Sequence, residues 1–282
     1  MNTVLPAIPH SLNCRGKLID LSRPLIMGIL NMTPDSFSDG GKFNSEKSAL
    51  MHAEKMMVAG ASIIDIGPQS TRPNAEYLTA HEEIRRLGKI IALIKSEFPE
   101  VLISLDTFYS ETVKFGFDEG IDIVNDISAG QFDGKMIDAV VETGLPYVLM
   151  HVNADYEGMH QKIKYDDITC SVNRFLLDKA AELLTRGVKD IILDPGFGFG
   201  KTVEDQYTLL DETQFIGLGK FPVLIGISRK SFIYTHLGKG PNDVTAETQQ
   251  LHRKVLEKGA NILRVHDVAA TKETLEQWQI TN

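Results

Sequence analysis

Eight short apolar runs, each stopping on a polar group able to do chemistry, recur along the 282 residues and limit what this chain can fold into. The first, Leu25 to Asn31, ends on an amide and opens through Met32 into a loop of hydroxyls, carboxylates and glycines, TPDSFSDGG at 33–41. The others begin near residues 62, 102, 123, 146, 191, 223 and 262. They end on Asp65 with Gly67, Asp106, Asn125 with Asp126, His151, Asp194, Ser228 to Lys230, and Arg264 to Asp267. Runs such as SIIDIG, VLISLD, DIILD and PVLIGIS are continuous rather than alternating, as parallel strands buried on both faces are. Helical patterns fill the gaps. A strand that ends on polar residues and feeds a helix, repeated around eight times, predicts an α/β chain folded as a single (β/α)8 TIM barrel. Its active site then lies at the C-terminal ends of the strands. Residues 1–24 precede the first unit and are expected to form an extension capping the barrel floor, with 25–282 as the barrel domain.

The helical segments carry their own signals. In 45–59 the side chains of Ala49, Leu50, Ala53, Met56 and Met57 fall on one face, and in 167–186 Leu176, Ala180, Leu183 and Leu184 do the same. Thr79 with Glu82, and Thr202 with Asp205, match the pattern that caps free backbone N–H groups at a helix start. A net charge of -9 argues against a general nucleic-acid or anionic-membrane binder. No apolar run approaches the roughly 18 residues of a membrane span. Two cysteines without CxxC spacing are too few for a disulfide scaffold, and no secretory signal is visible, so a cytoplasmic protein is expected.

Two motif-like stretches fail on inspection. DPGFGFGKT at 194–202 has Pro195 where a phosphate loop needs its first glycine. Read as a dinucleotide fingerprint it puts Lys201 or Val203 in the place of the last glycine. Its glycines instead let the backbone turn tightly near a ligand. His81-Glu82 is followed by Arg85 where a zinc motif needs a second histidine.

The strand-end groups have a chemistry of their own. Asp106 and Asp194 can accept hydrogen bonds from a ring bearing an amino group and a ring N–H, and Asn125 both donates and accepts, a combination suited to a pterin or purine edge. Lys230 can donate to a carbonyl or ring nitrogen, while Arg264 and His266 offer donors for phosphate. The plainer reading of any one strand-end Asp is a helix cap.

Gly28 to Gly41, Ser70-Thr-Arg-Pro73, Ser104-Leu-Asp-Thr107, Asn125-Asp126, Asp194 to Lys201, Ser228-Arg-Lys-Ser231 and Arg264-Val-His-Asp-Val268, in that order, resemble the dihydropteroate synthase family. That family is a TIM barrel that joins 6-hydroxymethyl-7,8-dihydropterin diphosphate to 4-aminobenzoate, forming 7,8-dihydropteroate and pyrophosphate, and is a sulfonamide target. The resemblance implies that Asp106, Asn125, Met150, Asp194 and Lys230 hold the pterin, and that Asn31, Arg264 and His266 hold the diphosphate. Mg2+ would bridge the diphosphate oxygens with Asn31 as its protein ligand. Phe37, Thr71, Pro73, Phe199 and Ser228 would line the aminobenzoate pocket, and Asp35, Arg72 and Lys230 would be the catalytic groups. The partners implied are these small-molecule substrates and a second copy of the chain, as a homodimer through helices near the seventh unit.

Several positions depart from the family pattern. GPQSTRPN at 67–74 stands where many members have GGESTRPG, so Pro68 removes an N–H, Gln69 replaces a carboxylate and Asn74 replaces a glycine. After His151 the chain reads VNADYEGMH, and AETQQLHRKVLEK at 246–258 is more polar than the family's helix. These read as neutral lineage differences or as altered sulfonamide binding. Two other functions stay open on sequence alone: a non-catalytic pterin-binding paralogue, and a methyltetrahydrofolate-binding methyltransferase barrel, which lacks the TPDSFSDGG loop and the diphosphate donors.

Overall fold

The computed structural model describes residues 10–32, 41–70, 75, 77–153 and 155–281. Asp35, Phe37, Thr71, Arg72, Pro73 and Asn74 lie outside the described residues.

A hairpin comes first, β1 (Ser11–Cys14) against β2 (Lys17–Asp20). Arg15 and Gly16 at its tip both have positive φ, 53° and 89°, as a tight two-residue hairpin turn requires. Eight strands then alternate with helices. They are β3 (Leu25–Asn31), β4 (Ile63–Gly67), β5 (Leu102–Asp106), β6 (Ile123–Asp126), β7 (Tyr147–Met150), β8 (Ile191–Asp194), β9 (Leu224–Ile225) and β10 (Ile262–Val265). Helices α1 (Gly41–Val58), α2 (Ala80–Leu87), α3 (Ile90–Glu97), α4 (Ser110–Glu119) and α5 (Met136–Thr143) occupy the first half of the barrel. The second half carries α6 (Ile168–Arg186), α7 (Val203–Asp211), α8 (Ser231–Tyr234), α9 (Thr245–Glu257) and α10 (Val268–Thr281). The sheet order β8-β7-β6-β5-β4-β3-β10-β9 is parallel throughout, and a parallel bridge between Leu193 and Val223 joins its two edges. The molecule is the expected (β/α)8 TIM barrel. Among the described residues no helix is long and apolar enough to cross a membrane.

The period of two along each strand separates core from site. Ile26, Ile64, Ile103, Val124, Leu149, Leu193, Ile225 and Leu263 belong to the large cluster formed with the helices. Alternate residues Met27, Ile63, Leu102, Ile123, Val148, Ile192, Leu224 and Ile262, one from each strand, form a separate apolar layer with Leu12, Cys14 and Leu21 of the hairpin segment. The hairpin therefore plugs the N-terminal end of the barrel. Two residues further along, the same inward columns reach Asp65, Ser104, Asn125, Asp194 and Arg264. The barrel is dry at its floor and polar at its mouth.

Local expectations are met unevenly, for identifiable reasons. Thr202 and Asp205 form a complete capping box on α7. Thr79 caps α2 by accepting from the Glu82 N–H, but the Glu82 carboxylate turns to Arg85 at 2.5 and 2.8 Å instead of reaching back. On α6, Leu176, Ala180 and Leu183 are buried whereas Leu184 is exposed, one helical step beyond the inward stripe. The run PVLIGIS contributes only Leu224 and Ile225 to the ladder; ahead of them the Val223 N–H goes to the Asn261 side chain at 2.9 Å, and Val223 makes only an isolated bridge to Leu193.

Candidate active site at the mouth of the barrel

Asp65 sits in the middle of β4 with no exposed surface, and a buried carboxylate needs partners. It has two. Asn125 Nδ2 donates to both carboxylate oxygens at 3.2 Å, and Arg264 Nε donates to Oδ2 at 2.6 Å. The same guanidinium reaches across with Nη2 to Asp106 Oδ2 at 2.7 Å. One arginine on β10 thus clamps carboxylates from β4 and β5, and one of those carboxylates orients the amide on β6. Gly67 lies between Asp106 and Asn31, and a Cβ there would meet each side chain at 3.7 Å, an ordinary contact.

Asp194 ends β8 and accepts the Gly196 N–H at 2.7 Å, which starts a tight turn. Gly196 has φ 71°, and a Cβ there would sit 2.1 Å from the His151 carbonyl, so only glycine fits. Lys201, the false phosphate-loop lysine, points inward. Its ammonium donates to the carbonyls of Gly196 at 2.8 Å and Phe199 at 3.1 Å and meets His151 Nδ1 at 3.0 Å. Burial lowers the Lys201 pKa to about 7 and that of His151 to about 2, so the imidazole is a neutral acceptor here. This knot fixes the segment carrying Phe199. Lys230 Nζ lies 4.7 Å from the centre of the Phe199 ring, and Met150 joins Phe199, Phe108 and Met159 in an apolar cluster.

Next to these groups, after β9 and β10, Ser228 Oγ accepts the backbone N–H of His266 at 3.2 Å and contacts His266 Nδ1 at 3.0 Å. With the Ser228 hydroxyl donating to an unprotonated Nδ1, the neutral imidazole carries its hydrogen on Nε2 and offers it as a donor. Burial, with Arg229 and Arg264 adding, holds His266 down at about 3, so it offers a hydrogen bond rather than a charge. Arg264 differs. Burial opposes its charge, but Asp65 and Asp106 outweigh this and keep the guanidinium ionised. Three carboxyl groups, Asp65, Asp106 and Asp194, therefore share the mouth with two cations, Arg264 and Lys230. Burial raises Asp106, with Asp65 and Asp126 adding, and raises Asp194 against the pull of the lysines and arginine around it. Lys230 is lowered by burial, with Arg264 adding, to about 8.

Of the residues singled out from sequence, Asn31, Asp106, Asn125, Met150, Asp194, Phe199, Ser228, Lys230, Arg264 and His266 all stand at strand ends or in the loops after them. The Ser228 hydroxyl is committed to His266, so any part it plays toward a second substrate falls to its backbone. Asp65 was visible as a polar residue in a strand but received no role, because its partners are 60 and 199 positions away. Its signal was chemical: an acid inside an otherwise apolar buried strand. His151 is legible only as a polar strand end and Lys201 only as the lysine of a failed phosphate loop, and nothing in the sequence pairs them.

A family model described as pterin binding enzyme matches residues 27–266. The chain is 41% identical to the dihydropteroate synthase of Escherichia coli strain K12 over 268 residues, covering 94% of this chain and 93% of that protein. It superposes on a Xanthomonas albilineans dihydropteroate synthase holding 4-aminobenzoic acid with a TM-score of 0.90, at 36% identity, covering 97% of this chain and 98% of that one. A structure of the Xanthomonas albilineans enzyme with 7,8-dihydropteroate gives a TM-score of 0.86 at 34% identity, covering 96% and 98%.

Proposed function

The chain belongs to the pterin-binding enzymes and, within them, to the dihydropteroate synthases, and we propose that it makes 7,8-dihydropteroate by a dissociative displacement at the barrel mouth. The observation that carries this reading is the cluster of Asp106, Asn125 and Asp194 at the ends of three strands, with Arg264 and Lys230 beside them. The carboxyls and the amide accept from the amino group and ring N–H of the pterin, Lys230 donates to its other edge, and Met150 packs on its face. Arg264 Nη1, bonded to no described residue, and the Nε2–H of His266 face the diphosphate. Phe199 and Ser228 line the place of 4-aminobenzoate; Asp35, Phe37, Thr71, Arg72 and Pro73, which the family resemblance assigns to the same end of the site, lie outside the described residues.

Asn31 supplies one amide oxygen, and among the described residues no group of three His, Cys, Asp or Glu side chains could hold a metal. That donor set fits Mg2+ brought in on the diphosphate, because this ion keeps most of its waters and takes few protein ligands. When bound, it neutralises charge on the leaving diphosphate. The residues do the rest. The C–O bond breaks with its electron pair going to the diphosphate, which Arg264 and His266 hold as charge develops. The electron-rich dihydropterin carries the positive charge left on its exocyclic carbon. The aniline nitrogen then forms the C–N bond and loses a proton to solvent. Holding carbon and amine in line, and keeping water out, is the protein's part. A cytoplasmic homodimer is part of this reading. Two free thiols support the location, and the exposed Phe215, Leu218 and Leu237 offer apolar surface for a second copy.

The deciding assay is pyrophosphate release from dihydropterin diphosphate with Mg2+, with and without 4-aminobenzoate. Release that depends on the amine, with dihydropteroate as co-product, is expected. Tight pterin binding without product would favour the non-catalytic paralogue. Lys230 adds a pH test. Its ammonium is lost as pH rises through about 8, so the KM for the pterin diphosphate should climb between about pH 7 and about pH 9. Lys230→Arg, whose charge persists over that range, should flatten the climb. An equally steep climb in the variant would assign the titration to another group.

A further inference from the structure

Two of the stretches that depart from the family pattern meet in space. Gln69 is buried two residues past the end of β4, and its amide joins both ends of the excursion that follows. Oε1 accepts the Leu78 N–H at 2.9 Å, while Nε2 donates to the Ser70 carbonyl at 3.2 Å. Nε2 also donates to the Tyr156 hydroxyl at 3.0 Å, and Tyr156 belongs to the unusual segment after β7. That hydroxyl lies 3.3 Å from the Ser70 carbonyl, and the Tyr156 ring meets Tyr77 edge-on with centroids 4.6 Å apart. Tyr109 completes the base by donating to the Leu78 carbonyl at 2.5 Å.

An amide suits this place because it can donate to Ser70 and Tyr156 while accepting from Leu78. A carboxylate at the same position accepts from Leu78 and from the tyrosine but has nothing to give the Ser70 carbonyl. We propose that Gln69 and Tyr156 form a cross-loop tether, matched to each other, that holds Ser70 and Leu78 in place beside the apolar cluster and so acts as a specificity-determining pair for the amine substrate. Tyr156 is suited to this role because its ring also packs on the cluster containing Met150, Phe108 and Phe199, next to the proposed substrate pockets. The tether rests on the synthase reading only in naming 4-aminobenzoate as the substrate it affects.

The test is a double-mutant cycle with Gln69→Met and Tyr156→Phe in the full chain, reading KM for 4-aminobenzoate, KM for the pterin diphosphate, and kcat. Each single variant should raise the aminobenzoate KM about fivefold, the net worth of a hydrogen bond or so, with kcat and the pterin KM within about twofold. Because the two share a bond, the double variant should reach about tenfold rather than the product of the singles, about twenty-five-fold. Amide exchange at Leu78 gives a second reading that needs no turnover, and both variants should speed it by about tenfold. A multiplicative double variant, parallel losses in kcat and pterin KM, or unchanged Leu78 exchange would overturn the tether. Absence of turnover in the unmodified protein would overturn the synthase reading instead, and Leu78 exchange would still decide the tether.

Discussion

Asp106→Ala should lower kcat/KM by about a thousandfold while leaving the barrel folded. Asp106 ends β5 with its carboxylate on the Arg264 guanidinium at 2.7 Å. Removing one preorganised group from around charge that develops in the transition state costs about 2.7 to 4 kcal/mol, a hundredfold to a thousandfold in rate. The loss has two parts. The pterin loses an acceptor, and Arg264, left with Asp65 alone, can swing away from the diphosphate. Asp106→Asn separates them, since it keeps the shape but cannot match a carboxylate's attraction for the arginine. It should recover part of the activity. Steady-state kinetics with circular dichroism of each variant checks both, and an Asp106→Ala protein with normal kcat/KM would remove Asp106 from the pterin site.

Why Asp106 could be chosen from sequence, while Asp65 could not, is a matter of where information about partners resides. A strand that stops on a carboxylate announces itself locally, and in a (β/α)8 barrel every strand end goes to the same place. The period of two then puts Asn125, Asp194 and Arg264 on the inward face without further assumption. Asp65 lies a layer below Asp106, level with Ser104. Its meaning depends on β6 and β10 closing round it, which only the barrel's register supplies. His252 makes a related point. It stands on α9 four residues before Leu256, and the structure buries it completely, with burial lowering its pKa to about 4. The Gln69 and Tyr156 contact was out of reach in the same way. Each departure is visible as an odd residue, but their pairing over 87 positions is a product of the fold.

Arg264→Ala is the second large effect, and it separates catalysis from stability. The variant removes a donor to the developing charge on the diphosphate and the only described side-chain cation bonded to Asp65 and Asp106, so kcat/KM should fall by about a thousandfold. Stability should fall as well, with a characteristic pH dependence. Without the guanidinium, carboxyl groups already pushed up by burial rise further above their unfolded values near 3.8. The folded state then binds more protons than the unfolded state, and stability drops as pH rises through that window. The variant's deficit relative to the unmodified protein should be about 3 to 5 kcal/mol near pH 8 and shrink toward pH 5 as the carboxyls take up protons. Arg264→Lys restores a charge but only one nitrogen, which cannot span Asp65 and Asp106 and still serve a diphosphate. It should rescue stability more than activity. Denaturant unfolding at several pH values reads the first quantity and pyrophosphate release reads the second. A deficit independent of pH would mean that the cost is lost packing of the arginine stem, and that the carboxyls at the mouth are held by groups other than Arg264.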